Sequence, residues 1–305
     1  MEINAKAVAA LRAKTGIGMM DCKRALVEAN GNEEEAIKIL REKGLAVAAK
    51  KASRIAAEGL VSIILDKETN TAAMIEVNIE TDFAANNGVF GEFVNDLLKI
   101  ILKTRPANVE ELLTREFKDG LNVEAALKDK IFTIGENINI RRFVVIEGAA
   151  SSYVHGKGNI GVIVKMNKII ANDLFFEAAK NVCLQAAAMN PLYLTPATVP
   201  AAAIEAEKEV IAAQIKNDPA NAKKPEKVIG MMVEGKLKKF YSVNCLSEQA
   251  YVKDDKLTVG QYLAGVAKEI GEPFELAEFV RYERGEGLEK REDNFGEEIE
   301  KLMKK

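Results

Sequence analysis

Three groups of residues in this sequence have types and spacings that could do chemistry. Residues 156–161 read Gly-Lys-Gly-Asn-Ile-Gly, the spacing whose glycines let a backbone approach the pyrophosphate of a dinucleotide. Residues 230–236 begin with glycine and end in Gly-Lys, as a phosphate-binding loop does. A third group offers sulfur and imidazole ligands for zinc: Cys22, Cys183, Cys245 and His155.

Each group lacks the surroundings that its chemistry needs. The glycines of residues 156–161 lead into Val162-Ile163-Val164, a poor helix start, so we predict a hairpin turn there. Residues 230–236 are followed by Leu237, where a Ser or Thr would bind Mg²⁺. The cysteines are scattered without a Cys-x-x-Cys pair, which favours buried apolar roles. We therefore expect no catalytic residue, no metal and no cofactor.

Composition and charge exclude several classes of protein. The 305 residues carry 46 acidic and 43 basic side chains, which gives a net charge of −3. The chain therefore lacks the overall positive charge that is typical of nucleic-acid-binding proteins. A hydrophobic fraction of 48% argues against disorder, and three cysteines cannot form a disulfide framework. No apolar run approaches the ~20 residues of a membrane span. Since the start of the chain also lacks a secretory signal, we expect a cytoplasmic protein that contacts no membrane.

Helix caps and apolar spacing predict a three-helix module at the N-terminus. Asn4 and Asn32 each precede a segment of helical periodicity, as N-cap residues do. One face of the second helix is apolar, formed by Met19, Cys22, Ala25, Leu26 and Ala29. Gly44 predicts the end of the third helix, and residues 45–57 a helical or extended tether with a solvated basic run. We assign residues 1–54 to this domain and its linker.

A β-β-α-β order follows. Residues 59–66 and 73–79 have the composition of a hairpin, helical periodicity runs from Val89 and from Val123, and strand composition returns at 142–147. We assign residues 55–150 to the first part of a core.

The same order then repeats. Residues 152–155 and 160–164 predict a second hairpin, and a helix is predicted from Asp173 to about Met189. Returning strands are predicted at 241–246 and 250–252. The fold class is therefore α+β, with two similar subdomains whose antiparallel sheets are covered by helices. Residues 151–199 and 241–283 form the second subdomain in this interpretation.

Two helical additions complete the predicted architecture. An inserted helical hairpin at 200–240 has apolar faces formed by Ile204, Ile211, Ile215, Val228, Met231, Met232 and Leu237. It is either a dimerisation or partner arm or an ordinary packed hairpin. Residues 284–305 are strongly charged with apolar Phe295, Ile299 and Leu302, which predicts a C-terminal amphipathic helix.

One segment has an unusual composition for a core. Residues 76–87 end a strand in Thr81-Asp82 and then place Phe83 in polar, turn-prone surroundings. Thr81 or Asp82 can cap the helix that follows. Phe83 either packs inward or stands out as a wedge for another protein, and the local sequence leaves both open.

These residues resemble a known family. Residues 15–26 (Thr-Gly-Ile-Gly-Met-Met-Asp-Cys-Lys-Arg-Ala-Leu) are similar to the N-terminal signature of bacterial elongation factor Ts, and Glu76-Val77-Asn78 with Thr81-Asp82-Phe83 resembles its second signature. Segments 135–142, 160–162 and 232–236 follow in the family's order. The resemblance covers essentially the whole chain.

The resemblance implies a guanine nucleotide exchange factor that speeds GDP release from elongation factor Tu, with a ubiquitin-associated-type N-terminal domain. It carries the following residues over as partner contacts: Met19, Lys23, Thr81, Asp82, Phe83, Ile160, Gly161, Gln185 and Val252. The chain departs from the family at Gln185, where a histidine is frequent, and at Lys253, where some members have methionine.

Other functions stay open beside this one. A protein-binding scaffold would use the N-terminal helices and the hairpin without accelerating exchange. An RNA-associated factor would use Lys50-Lys51 and Arg141-Arg142, although we expect no direct nucleic-acid contact. An enzyme ranks last. A homodimer through the hairpin or the core is a further expectation.

Overall fold

The N-terminal module is a three-helix bundle, as predicted. The structure, a computed structural model, describes residues 3–118, 120–219 and 224–289. The helices are α1 (Ala5–Thr15), α2 (Met19–Glu28) and α3 (Glu33–Lys51). Asn4 accepts a hydrogen bond from the Lys6 N–H and Asn32 from the Glu35 N–H, so both predicted N-caps are confirmed. Leu11, Leu26 and Leu40 are buried between the helices.

The end predicted for the third helix is wrong. α3 continues through Gly44 to Lys51 because the glycine packs against a later helix, where a Cβ on it would lie 3.5 Å from Phe132. Lys51 then donates to the carbonyl of Gly135. Much of the predicted tether is therefore helix that fastens the module to the core.

The first subdomain is a three-stranded antiparallel sheet with helices on one face. Its elements are β1 (Glu58–Asp66), β2 (Thr71–Ile79), α4 (Asp82–Ala85), α5 (Gly88–Thr104), α6 (Val109–Thr114), β3 (Glu116–Lys118), β4 (Leu121–Asn122), α7 (Val123–Ile134) and β5 (Ile138–Glu147). The strand order is β1-β2-β5, and β3 pairs with β4 separately. The hairpin and the returning strand are confirmed.

The second subdomain repeats this topology. Its elements are β6 (Ala150–His155), β7 (Ile160–Met166), α8 (Asp173–Met189), α9 (Ala201–Asn217), α10 (Glu226–Asn244), β8 (Ala250–Tyr251), β9 (Asp254–Thr258), α11 (Val259–Ile270) and β10 (Leu276–Glu283). The strand order is β10-β7-β6. As in the first subdomain, the strand that comes last in the chain pairs with the second strand of the hairpin.

The returning strand of the second subdomain is not where the sequence pattern places it. β10 fills that position, whereas residues 241–244 are the last turn of α10. Phe240 and Tyr241 pack against the apolar residues of the helical hairpin, which favours helix over the strand that their composition suggests. The predicted strand at 250–252 is limited to Ala250–Tyr251.

The inserted hairpin is present as α9 and α10. Ile211, Ile215 and Leu237 are buried between the two helices, whereas Met231, predicted on the same face, is exposed. Of the predicted C-terminal helix at 284–305, residues 284–287 form a turn after β10 and residues 288–289 are not helical, whereas the remainder lies outside the described residues.

The two sheets pack face to face between helices. All nine residues of β2 are buried because alternate side chains serve different interfaces. Ala73, Ile75 and Val77 face α5, whereas Ala72 and Met74 meet Ile163 of the second sheet. The predicted α+β class with antiparallel sheets is confirmed. No helix in the described part of the chain is long and apolar enough to cross a membrane.

Candidate functional site

Phe83 stands out from the surface on a one-turn helix. Its residue surface is 86% exposed, whereas Ala84 and Ala85 beside it are buried and hold α4 against the core. The inward-packing alternative for Phe83 is therefore wrong. A large aromatic side chain in this position can contact a second protein with most of its surface.

Hydrogen bonds with the segment just before β5 fix the start of this turn. Thr81 caps α4 by accepting from the Ala84 N–H at 3.2 Å. Glu136 binds Thr81 twice, accepting from its N–H at 3.0 Å and from its hydroxyl at 2.8 Å. One residue away on each segment, Glu80 accepts from the Asn137 N–H at 2.6 Å. The turn is thereby tied to the segment that leads into β5.

The end of the turn is fixed as well. The Asn86 side chain donates to the carbonyl of Asp82 at 2.7 Å, and Asn87 caps α5 by accepting from the Val89 N–H at 3.0 Å. Phe83 thus lies on a capped turn of helix that is followed by a second capped helix, α5. Asp82, next to it, is exposed, and its carboxylate forms no hydrogen bond or ion pair with the described residues.

Met19 and Lys23 lie one helical turn apart on the exposed side of α2. The predicted buried face of this helix is confirmed for Cys22, Ala25 and Leu26 but not for Met19, which is 49% exposed. Met20 and Val27 are exposed on the same helix. α2 therefore presents an exposed apolar surface that includes the positively charged side chain of Lys23.

Ile160 and Gly161 begin β7, where they pair with Glu283 and Tyr282 of β10. Ile160 is half-buried, whereas Gly161 is buried against the first sheet. A Cβ on Gly161 would lie 2.5 Å from Val61 Cγ1 and 2.8 Å from Met74 Sδ. The glycine allows the sheets to approach each other at this edge.

Gln185 is completely buried on α8. Its side chain is therefore not exposed for the direct partner contact that the resemblance implies. Its amide N–H groups donate to the carbonyl of Ala250 at 3.0 Å and to Gln249 Oε1 at 3.2 Å. Its Oε1 accepts from the N–H of Val252 at 2.9 Å. Gln185 thereby positions Val252, which is about half exposed.

Two further side chains support the same loop. Buried Gln249 donates to the carbonyls of Val243 and Met189 at 2.8 and 3.3 Å. Lys253 donates to Asn181 at 2.7 Å, so it binds the chain's own α8. Gln249 could not be identified from the sequence, because the residues around it do not indicate that its side-chain amide is buried.

The glycine and cysteine groups have structural roles. Residues 156–159 are the β6–β7 turn, as predicted, and residues 230–236 lie inside α10. The cysteines are free and buried, and burial raises the pKa of the Cys183 thiol to about 12. Across residues 3–118, 120–219 and 224–289, no group of three His, Cys, Asp or Glu side chains has a metal-binding arrangement.

Three of the four basic residues considered for RNA, Lys51, Arg141 and Arg142, are engaged within the protein. Arg141 Nη1 and Arg142 Nε donate to buried Glu76 at 3.0 and 2.7 Å. Lys51 binds Gly135, as described above. The two arginines that the RNA-binding alternative requires are thus bound to Glu76.

Apart from buried Gln185 on α8, the expected contact residues occupy four places: the Phe83 turn, the exposed side of α2, the first residues of β7 and the loop that carries Val252. The whole sequence in which these residues lie is similar to that of known proteins. The sequence model of the family described as Elongation factor TS matches residues 80–286. The protein named Elongation factor Ts of Clostridium novyi is 45% identical over 306 residues, covering 99% of both chains. That of Clostridium kluyveri is 46% identical over 306 residues, again with 99% coverage of both, and that of Clostridium perfringens strain 13 is 44% identical over 303 residues, with 98% of this chain and 99% of the relative covered.

Proposed function

The chain belongs to the elongation factor Ts family and is a translation elongation factor, and we propose that it binds elongation factor Tu carrying GDP and promotes GDP release. The observation that carries this proposal is the exposed Phe83 on a turn fixed at both ends. The function needs no bond-making chemistry, in keeping with a site built for contact.

The proposed mechanism follows from linkage. A factor that binds the nucleotide-free partner more tightly than the GDP-bound partner must weaken GDP binding by the same factor. Contacts to Mg²⁺ and phosphates contribute strongly to nucleotide binding, so a side chain that displaces the elements holding them releases GDP. We assign this displacement to Asp82 and Phe83.

The fixed turn makes Phe83 effective in this role. A flexible loop would lose conformational entropy on insertion, which would weaken the complex. Thr81, Glu136 and Asn87 hold the turn before the partner arrives, so more of the binding energy is available to displace the partner's phosphate-binding elements.

The remaining contacts have a different task in this proposal. Met19 and Lys23 on α2, Ile160 on β7 and Val252 on its supported loop supply affinity that does not depend on the bound nucleotide. Gly161 and Gln185 contribute indirectly, because both are buried and support the residues beside them.

The test is stopped-flow release of a fluorescent GDP from elongation factor Tu, with Phe83→Ala compared with the unaltered protein. We expect release to slow about 30-fold or more, since truncating an aromatic hot spot costs about 2 kcal/mol or more. Phe176→Ala is the matched control, because Phe176 is 52% exposed on α8, apart from the four proposed contact places.

The outcomes separate exchange factor from scaffold. A scaffold would bind the partner without accelerating release, and Phe83→Ala would leave the release rate unchanged. Equal rates for the Phe83 variant and the unaltered protein would therefore exclude the wedge. Circular dichroism of both variants checks that each is folded.

We also expect the chain to act in the cytoplasm, where its proposed partner cycles between nucleotides. Self-association through the helical hairpin or the core stays a prediction. Sedimentation velocity over a range of concentrations would decide it.

A further inference from the structure

Glu76 is a fully buried carboxylate between the two subdomains, and the proposed contacts make no use of it. It accepts four hydrogen bonds, including those from Arg141 and Arg142. The other two come from the Asn78 amide at 3.2 Å and the N–H of Gly285 at 2.8 Å. Gly285 lies in the turn after β10. The carboxylate therefore joins the first sheet to the end of the second.

A β-bulge brings both arginines to this carboxylate. Glu76 pairs with Arg142 and Val77 pairs with Ile140, so Arg141 is an extra residue in β5. Successive side chains of a regular strand point to opposite faces, but a bulge re-aims one of them. Arg141 and Arg142 consequently reach the same acidic side chain from consecutive positions.

The arginines extend the connection into the second subdomain. The Arg142 guanidinium lies 4.1 Å from the centre of the Tyr282 ring on β10, close enough for a cation–π contact. It also lies 3.3 Å from the Glu286 carboxylate, while Arg141 donates to the Glu286 carbonyl. We call Glu76, Arg141, Arg142, Tyr282 and Gly285 the latch.

The latch lies between two of the proposed contact regions. Along β2, Glu76 is five residues before Thr81, and the residues just before β5 provide the Glu136 that holds the Phe83 turn. On the other side, Tyr282 pairs with Gly161 and Glu283 with Ile160. Glu76 on β2 and Arg142 on β5 thus connect the Phe83 turn, at one end, to β10 and its partner Ile160 on β7, at the other.

We propose that Glu76 is a positioning residue for exchange, because its buried carboxylate sets the orientation of the second subdomain relative to the Phe83 turn. This inference rests on the proposed function. When the second subdomain binds the partner, the latch determines where Phe83 meets the phosphate-binding elements. Glu76 contacts neither partner nor nucleotide.

Two variants open the latch from opposite sides. Glu76→Gln keeps the side-chain shape but removes the charge and one of the two acceptor oxygens. Gly285→Ala leaves Glu76 in place, yet its Cβ would lie 2.3 Å from the carbonyl oxygen of Ala57, so the turn must shift. Because Gly285 follows β10, this second variant alters no residue of a strand. Leu98→Ala, a cavity in the core of the first subdomain, is the control for lost stability alone.

The first measurement is the distance between spin labels at Glu92→Cys on α5 and Lys256→Cys on β9, both exposed positions, while the native cysteines are buried. We expect a narrow distribution for the labelled parent, broader or shifted distributions for both latch variants, and no change for Leu98→Ala. Unchanged distances in the latch variants would overturn the latch, and this holds whether or not the protein accelerates GDP release.

The second measurement is the rate of GDP release as a function of exchange-factor concentration. We expect the maximal rate to fall at least about tenfold for the latch variants, because misplacing a working group by about 1 Å costs up to ~100-fold. Leu98→Ala should keep the maximal rate below its melting temperature. Altered distances with an unchanged maximal rate would overturn the role of Glu76 in exchange. Failure of the unaltered protein to accelerate release would instead refute the proposed function.

Discussion

At Gly161 the two sheets lie closer together than a side chain would allow. The resemblance implies a partner contact for Gly161, but this residue is buried between Val61 and Met74. In the proposed function, Gly161 therefore acts through Ile160, which it keeps at the edge of β7. A residue can be required for a binding surface without being part of it.

We expect Gly161→Ala to lower the free energy of unfolding by about 1–3 kcal/mol, the usual cost of overpacking a core. The added methyl group would lie 2.5 Å from Val61, so the sheets must separate. Urea unfolding followed by circular dichroism measures the change. Gly235→Ala in α10 is the control, because a Cβ there meets no atom within 4 Å and alanine favours helix. Equal stability of the two variants would show that the sheets tolerate the methyl group.

At the scale of elements, α4 depends on its surroundings. A helix of four residues has no independent stability, because nucleation is unfavourable. Its conformation comes from Thr81, from Glu136 and from the burial of Ala84 and Ala85. The position of Phe83 is thus determined by a carboxylate more than fifty residues further along the chain.

We expect Glu136→Gln to loosen this turn with little change in overall stability. Glutamine keeps one acceptor oxygen and places an amide donor where Thr81 needs a second acceptor. Hydrogen exchange of the Ala84 and Ala85 amides should accelerate, and GDP release should slow about fivefold, equivalent to the ~1 kcal/mol of a lost cap. Glu110→Gln, at an exposed position on α6, should change neither rate. Unaltered amide exchange in the Glu136 variant would contradict the role of Glu136 in fixing the turn.

Local patterns predicted those elements whose signals are local. Asn4 and Asn32 were identifiable as caps because the bonds they make span only two or three residues. The β6–β7 turn was identifiable from its glycines and its flanking β-branched residues. These features need no knowledge of the rest of the chain.

Features that depend on distant packing could not be predicted. α3 passes Gly44 because Phe132, nearly ninety positions later, packs against it. β10 is interrupted by Glu278, Arg281 and Glu283, so its composition is a weak strand signal, and only its pairing with β7 defines it. Gln185 is buried because Val252 and Ala250 take its hydrogen bonds, which one sequence cannot reveal.

At the scale of the whole molecule, the N-terminal module is fastened to the core. α3 is 19 residues long, about 28 Å at 1.5 Å per residue. Its second half packs along α7, where Gly44 meets Phe132 and Lys51 meets Gly135. The α2 surface is therefore held at a set distance from the Phe83 turn.

We expect Gly44→Leu to push the module away from the core, because a side chain there must displace the Phe132 ring. Small-angle X-ray scattering should show a larger radius of gyration, and a higher concentration of the protein should be needed for half-maximal GDP release. The maximal rate should stay near that of the parent, since the Phe83 turn is untouched. Gly230→Leu in α10, where a Cβ has open space, should leave the radius of gyration near the parent value. An unchanged scattering curve for Gly44→Leu would mean that the interface can absorb the side chain.

The pairing of β10 with β7 also determines the order in which the molecule can be completed. Ile160 and Glu283 are partners separated by more than 120 residues, and Gly285 reaches Glu76 across 209 positions. During synthesis the first sheet has all its strands once residue 147 is available, whereas β7 keeps an unpaired edge until β10 has been made. An open strand edge is a template for pairing with other chains. The nascent protein therefore passes through a period in which one subdomain can be native while the other is prone to aggregate, and closing that edge is a late step of folding.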